Sequence, residues 1–153
     1  MLKQPQLTEI LIALNRLGHA VFDTPAGDNL NIVGIRSEAR ATNQFDDLVC
    51  LFYRLRTRWV YFAFPATTDP GTYWLLNPMN IEGTAVLKPG QYRGVYSIGQ
   101  HKGKPALVQS KPVTVYRDPD RDAEAEVTPT EETGFFGINL HRAGALAPSH
   151  QVD

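Results

Sequence analysis

The sequence predicts a mainly β domain, a mostly antiparallel sandwich or closed sheet, preceded by one amphipathic helix. Three observations carry this. Apolar residues recur at helical spacing only near the N-terminus, and after Gly18 the period falls to two or to short apolar runs. Turn chemistry at Thr24–Asn29, Asp69–Gly71, Asn77–Met79, Lys88–Gly90 and His101–Pro105 separates most of those runs. No repeat of fixed period is visible, which argues against a propeller or a solenoid.

Leu7, Ile10, Leu11, Leu14 and Leu17 fall at three- and four-residue steps, so a helix is expected over 7–17, ending at Gly18, a favoured residue just past a helix. A helix this short depends on tertiary packing, and its stripe should lie across a sheet through Ile10, Leu11 and Leu14. Strands are expected at Ala20–Phe22, Asn31–Ile35, Leu48–Tyr53, Trp59–Phe64, Tyr73–Leu75, Thr84–Leu87, Gln91–Ile98, Ala106–Gln109, Val113–Tyr116 and Phe135–Leu140. The stretch from Asp118 to Thr133, rich in Asp, Glu, Pro and Thr, is the one long irregular segment. Placed just before the Gly134–His141 strand, it is expected to fold over whatever that strand presents.

With 153 residues, 17.0 kDa, 42% apolar and 10% aromatic content, the chain can fill one core, and a single domain over 1–153 is expected. Within it the reading places a β core at 20–142, an acidic loop at 118–133 and a polar tail at 143–153. Net charge is −1 and the fifteen Lys and Arg are scattered, which excludes nucleic acid and anionic membrane as expected partners. Arg54, Arg56 and Arg58, spaced by two, read as the wet side of a strand. No apolar run is long enough to span a bilayer. Met1 to Pro5 is polar, and Thr8, Glu9, Asn15 and Arg16 interrupt the apolar stretch after it, so no signal peptide is expected. One cysteine leaves no internal disulfide and no cysteine-based zinc site.

His141 leads the candidates for chemistry. The segment Gly-Phe-Phe-Gly-Ile-Asn-Leu-His at 134–141 is a glycine-bounded apolar run that delivers one imidazole at its end, flanked by Gly137 and Gly144. An imidazole at a strand end suits a general base, although a structural histidine at a sheet rim is the plainer reading. Asp118, Asp120 and Asp122 alternate in D-P-D-R-D, with Glu124 and Glu126 beyond, as carboxylates do in the first half of a calcium loop. Ala123 stands where that loop needs glycine, which favours a solvated acidic loop instead. Cys50, inside Leu48–Phe52, reads as a buried small hydrophobe. His19, His101 and His150 have no metal-ligand spacing to one another. Trp59, Tyr61, Tyr73, Trp74, Tyr92 and Tyr96 read as core, with a sugar-stacking platform as the alternative.

Around His141 the runs F-P-A-T-T-D-P-G-T-Y at 64–73, G-T-A-V-L-K-P-G-Q-Y-R-G-V-Y at 83–96 and T-G-F-F-G-I-N-L-H-R-A at 133–143 resemble the L,D-transpeptidase (YkuD-type) cell-wall fold. They resemble more closely a variant carried by phage-encoded, endolysin-like or cell-wall-associated proteins. In that family a Pro-Gly turn, matched by Lys88-Pro89-Gly90, leads towards a Gly-Ile-His strand, matched with extra residues by Gly137 to His141. A Ser-x-Gly-Cys motif comes after it there. The resemblance implies that His141 is the base that activates a cysteine, and that Asn139 and Arg142 face substrate, Arg142 near a carboxylate. It implies no required cofactor, peptidoglycan or other virion proteins as partners, and a phage virion or host cytoplasm with delivery to the cell wall as location. No Ser-x-Gly-Cys is present in the sequence. A longer parent protein is the favoured expectation, beside a separate partner chain and a non-catalytic virion or wall-binding module.

Overall fold

The computed structural model describes residues 3–25, 29–39 and 42–143. Gly144, His150 and the rest of the expected tail past Ala143 lie outside them, as does the middle of the Thr24–Asn29 turn. The chain is mainly β and antiparallel, as the periodicity predicts, and its described strands form three open sheets of three strands each. It folds as two compact units, one of Met1–Ala39 with Phe45–Thr68 and one of Arg40–Gln44 with Asp69–Asp153.

In the first unit, α1 (Leu7–Arg16) starts at Gln6, whose backbone N–H donates to Glu9 Oε2 at 2.7 Å. It stops where Gly18 takes φ +69°, which lets His19 N–H reach the Leu14 carbonyl at 2.9 Å. Ile10 is buried and Leu7, Leu11 and Leu14 pack beside it, while Leu17, past the last turn, is 67% exposed and leaves the expected stripe. The sheet beneath has the order β1 (Asn31–Ile35), β2 (Asp47–Leu55), β3 (Arg58–Ala66). Cys50 pairs with Val33 and Ala63, and Phe52 with Tyr61, so alternate residues of all three strands meet the helix in one core. Pro65 is tolerated because β3 is an edge strand.

Two expectations fail in this unit. Residues 20–22 are not a strand; the Phe22 amide is taken instead by the Asn31 side chain at 2.8 Å. Arg54, Arg56 and Arg58 do not share a strand face. Arg56 occupies the β2–β3 turn at φ +54°, and Arg54 lies over the Trp59 ring, 5.1 Å from its centroid.

The second unit contains α2 (Thr72–Leu76), β4 (Thr84–Leu87), β5 (Tyr96–His101), β6 (Lys104–Gln109), β7 (Val113–Asp118), β8 (Glu131–Gly134) and β9 (Leu140–His141). They form the sheets β4-β7-β8 and β5-β6-β9. Tyr73–Leu75, expected as a strand, is the centre of α2: the Gly71 carbonyl takes the amides of Trp74 and Leu75 and closes a helical turn. A short apolar run does not distinguish the two periods. Gln91–Val95 stays out of the sheet because Gly94 turns at φ +61° and the Tyr92 hydroxyl donates to the Lys88 and Thr114 carbonyls. The expected strand Phe135–Leu140 is broken at Gly137, φ +70°, and only its end pairs, as β9. Over the broken part Gln109 Oε1 accepts the amides of Phe136 and Ile138, a side chain standing in for a neighbouring strand.

The irregular stretch after Asp118 is shorter than expected, because Glu131–Gly134 pairs with β7 as β8. Its Ala125 is buried with Leu75 and Val86, and none of its residues lines the surface beside His141.

Candidate functional site

β9 is short, but its register is set by β6: Ala106 faces His141 and Leu107 faces Leu140. On the far side of β6 the turn at Lys102 and Gly103, both at positive φ, fixes the β5–β6 hairpin so that His101 faces Lys104 and Gly99 faces Ala106. Gly99, Ala106 and His141 therefore form one cross-strand row, with His101 two residues along on the same face. Gly99 itself lies against Val108, whose side chain a Cβ there would meet at 2.8 Å. The His101 and His141 imidazoles stack, with centroids 4.4 Å apart and planes 15° from parallel.

The polar contacts of the two rings are specific. His141 Nδ1 lies 3.0 Å from the Arg142 carbonyl oxygen, and His101 Nδ1 lies 3.3 Å from Asn139 Nδ2. Asn139 Oδ1 accepts the Gln109 amide at 2.9 Å. Beside the pair runs a shallow, largely apolar groove of about 370 Å³, formed by Ile98 of β5, Pro105–Leu107 of β6 and Leu140–Arg142. Ile98 is 91% exposed there.

Of the residues expected to act together, the structure brings His141 and Arg142 to one groove. It uses both polar ends of the Asn139 amide inside the unit. Cys50 belongs to the other unit, wholly buried, with its sulfur 3.6 Å from the Tyr61 hydroxyl. Burial, with Cys50 alongside, pushes that hydroxyl up to about 12. The aromatic set divides: Trp59 and Tyr61 pack in the first unit's core, Tyr92 and Tyr96 around Val95, Val113 and Val115, while Tyr73 is 55% exposed and meets Trp74 edge-on at 5.0 Å. His101 was not expected at the site. The Lys-Gly turn that sets its register is legible in the sequence, whereas the pairing of β9 with β6 has no local signal.

The acidic residues converge differently from their spacing. Carboxylate oxygens of Asp118, Asp120 and Glu126 lie within 4.8 Å of one another. Asp122 instead accepts the Glu124 amide at 2.7 Å, and Asp120 accepts the Asp122 amide at 3.2 Å. Burial holds the Asp118 carboxyl above the usual carboxylate range, and the hydrogen-bonded Asp120 side chain does the same for Glu126. Three carboxylates suit a hard cation in kind, and one oxygen from each gives three of the roughly six to eight that calcium takes.

No family model matches the chain, and no curated protein or solved structure matches it. Among the described residues no helix is long and apolar enough to cross a membrane.

Proposed function

We propose that the chain is a peptidoglycan-processing domain of a phage lysis or tail-associated protein, acting on stem peptides by thiol-based acyl transfer with His141 as general base. The supporting observation is the His141 hydrogen bond. A carbonyl oxygen can only accept, so in the neutral ring Nδ1 carries the proton and Nε2 has the lone pair a base needs. In the reaction a thiol gives its proton to Nε2 as sulfur attacks the peptide carbonyl. The proton then passes to the departing amine, and the thioester yields to water or to a second amine. The thiol comes from outside the described residues of this unit, since the chain's one cysteine is Cys50.

A second reading has separate support. A non-catalytic virion or wall-binding module of the same fold would need no thiol beside His141, and the exposed Ile98 edge would serve it as a contact surface.

Purified sacculi distinguish the two. The 153-residue chain alone is expected to release no stem-peptide fragments. The same chain extended through a cysteine-bearing segment is expected to release them, and His141→Ala in that version should lower turnover by ~10²-fold or more, the scale of a positioned base. Sedimentation with sacculi, without release by either version, selects the binding module. Release by the 153-residue chain alone, abolished by His141→Ala, overturns the scheme and points to a histidine-activated water.

A further inference from the structure

Each imidazole of the stacked pair has its proton fixed by a partner with only one available role. The Gln109 backbone N–H can only donate, so the Asn139 atom 2.9 Å from it is the amide oxygen. The other end of that amide, at 3.3 Å from His101 Nδ1, is then the NH2 group and donates. His101 Nδ1 is thereby an acceptor, its proton sits on Nε2, and the ring is neutral. Protonating Nδ1 would set two donors against each other. His141 takes the opposite tautomer, because its Nδ1 faces the Arg142 carbonyl at 3.0 Å.

We propose that His101 is a positioning residue for His141: Asn139 holds it neutral and flat against the catalytic imidazole, which keeps His141 in the tautomer that leaves Nε2 open. Stacking restricts rotation of the His141 ring, and without it the single bond from Nδ1 to a carbonyl one residue away would have to set that orientation alone. The two rings lie close to parallel, with 4.4 Å between centroids. The charged residues on the surrounding strands and turn are Lys102, Lys104 and Arg142, all cationic, and β5, β6 and β9 carry no carboxylate.

The proposal rests on the reading of His141 as a base, but its test needs no activity. Long-range proton–nitrogen correlation spectra of the imidazoles, recorded on the 15N-labelled 153-residue chain above neutral pH, should show opposite tautomers for the two rings. In His101→Ala the His141 Nε2 resonance should move from its unprotonated position towards the average of the two tautomers. His101→Phe, which keeps a flat ring, should restore it. Asn139→Ala should release the fixed tautomer of His101. An unchanged His141 tautomer in His101→Ala, or a failure of His101→Phe to restore it, overturns the proposal. In the cysteine-extended version, the same two variants should lower and then recover kcat with KM little changed. Ordered tautomers in a protein inactive on sacculi would sink the catalytic reading and leave the positioning intact.

Discussion

The two units hold their small antiparallel sheets together with differently arranged cores. In the first, one helix covers one three-stranded sheet, and Leu48, Cys50 and Phe52 of its central strand are all buried in a single core. In the second, buried apolar residues divide between Leu75, Val86 and Ala125 on one side and Val95, Val113 and Val115 on the other. Its irregular stretches are fastened by side chains bonded to backbone: Gln109 to Phe136 and Ile138, Tyr92 to Lys88 and Thr114, Thr128 to the Arg117 carbonyl, Thr84 to the Trp74 carbonyl. Burial is not directional and tolerates approximate placement, whereas these bonds fix position residue by residue. Such bonds occur in the first unit too, at Asn31 and Asp47, but there they accompany a single core, whereas the unit that carries His141 has them beside two separate clusters.

Core truncations should bring out the contrast most strongly. Phe52 is fully buried and meets Trp59 edge-on at 5.7 Å, so Phe52→Ala should cost about 3–5 kcal/mol. Leu75→Ala, in a cluster with fewer buried partners, should fall near the lower end of the leucine range, about 2 kcal/mol. Urea denaturation of both variants measures this. A Leu75→Ala cost equal to that of Phe52→Ala would mean that the second unit also relies on a concentrated core.

A smaller, more local effect is expected at Gln109. Its Oε1 serves two amides and its Nε2 donates to the Lys111 and Gly134 carbonyls. Gln109→Leu keeps the stem and removes all four bonds, at about 1–3 kcal/mol for the groups left unsatisfied. Hydrogen exchange should then show faster exchange at Phe136 and Ile138, the residues that lead into β9. Unchanged protection there would mean that the Gln109 side chain does not hold this segment.

The same contrast explains how much was legible in the sequence. Asn31–Ile35 and Thr84–Leu87 have the bounds that alternation and turns predict, and α1 stops before Gly18, one residue short of the expected 7–17. Where the chain is held by side chains, periodicity misled: Phe135–Leu140 looks like one strand because its apolar content is continuous, yet Gly137 turns it and Gln109 replaces its ladder. His141, the expected candidate, does end a short strand after its glycine-spaced run. His101 was not expected, because its stacking on His141 depends on β9 reaching β6 from more than thirty residues away in sequence. Glu126 was missed as the third converging carboxylate because an even spacing of aspartates suggests Asp122, whereas Asp122 caps its own loop.

The smallest predicted effect concerns those carboxylates. Asp118 and Glu126 are held above the usual carboxylate range in the folded chain, so between the unfolded and folded values the folded state binds more protons. Stability from these two groups is therefore greatest below about pH 4, where the unfolded chain is also protonated, and falls as pH rises through the raised folded values. Asp120→Asn removes the neighbouring charge that contributes to both shifts while keeping the side chain's size. Its melting temperature should exceed that of the unaltered chain at pH 7, and the gap should shrink at pH 4. Calcium added at pH 7 should narrow the same gap if the trio takes the ion, by neutralising the unaltered chain's carboxylates and not the variant's. A gap of the same size at both pH values would mean that the three carboxylates are too well solvated to feel one another. In that case side-chain-to-backbone bonds alone, with no electrostatic cost, would describe this part of the second unit.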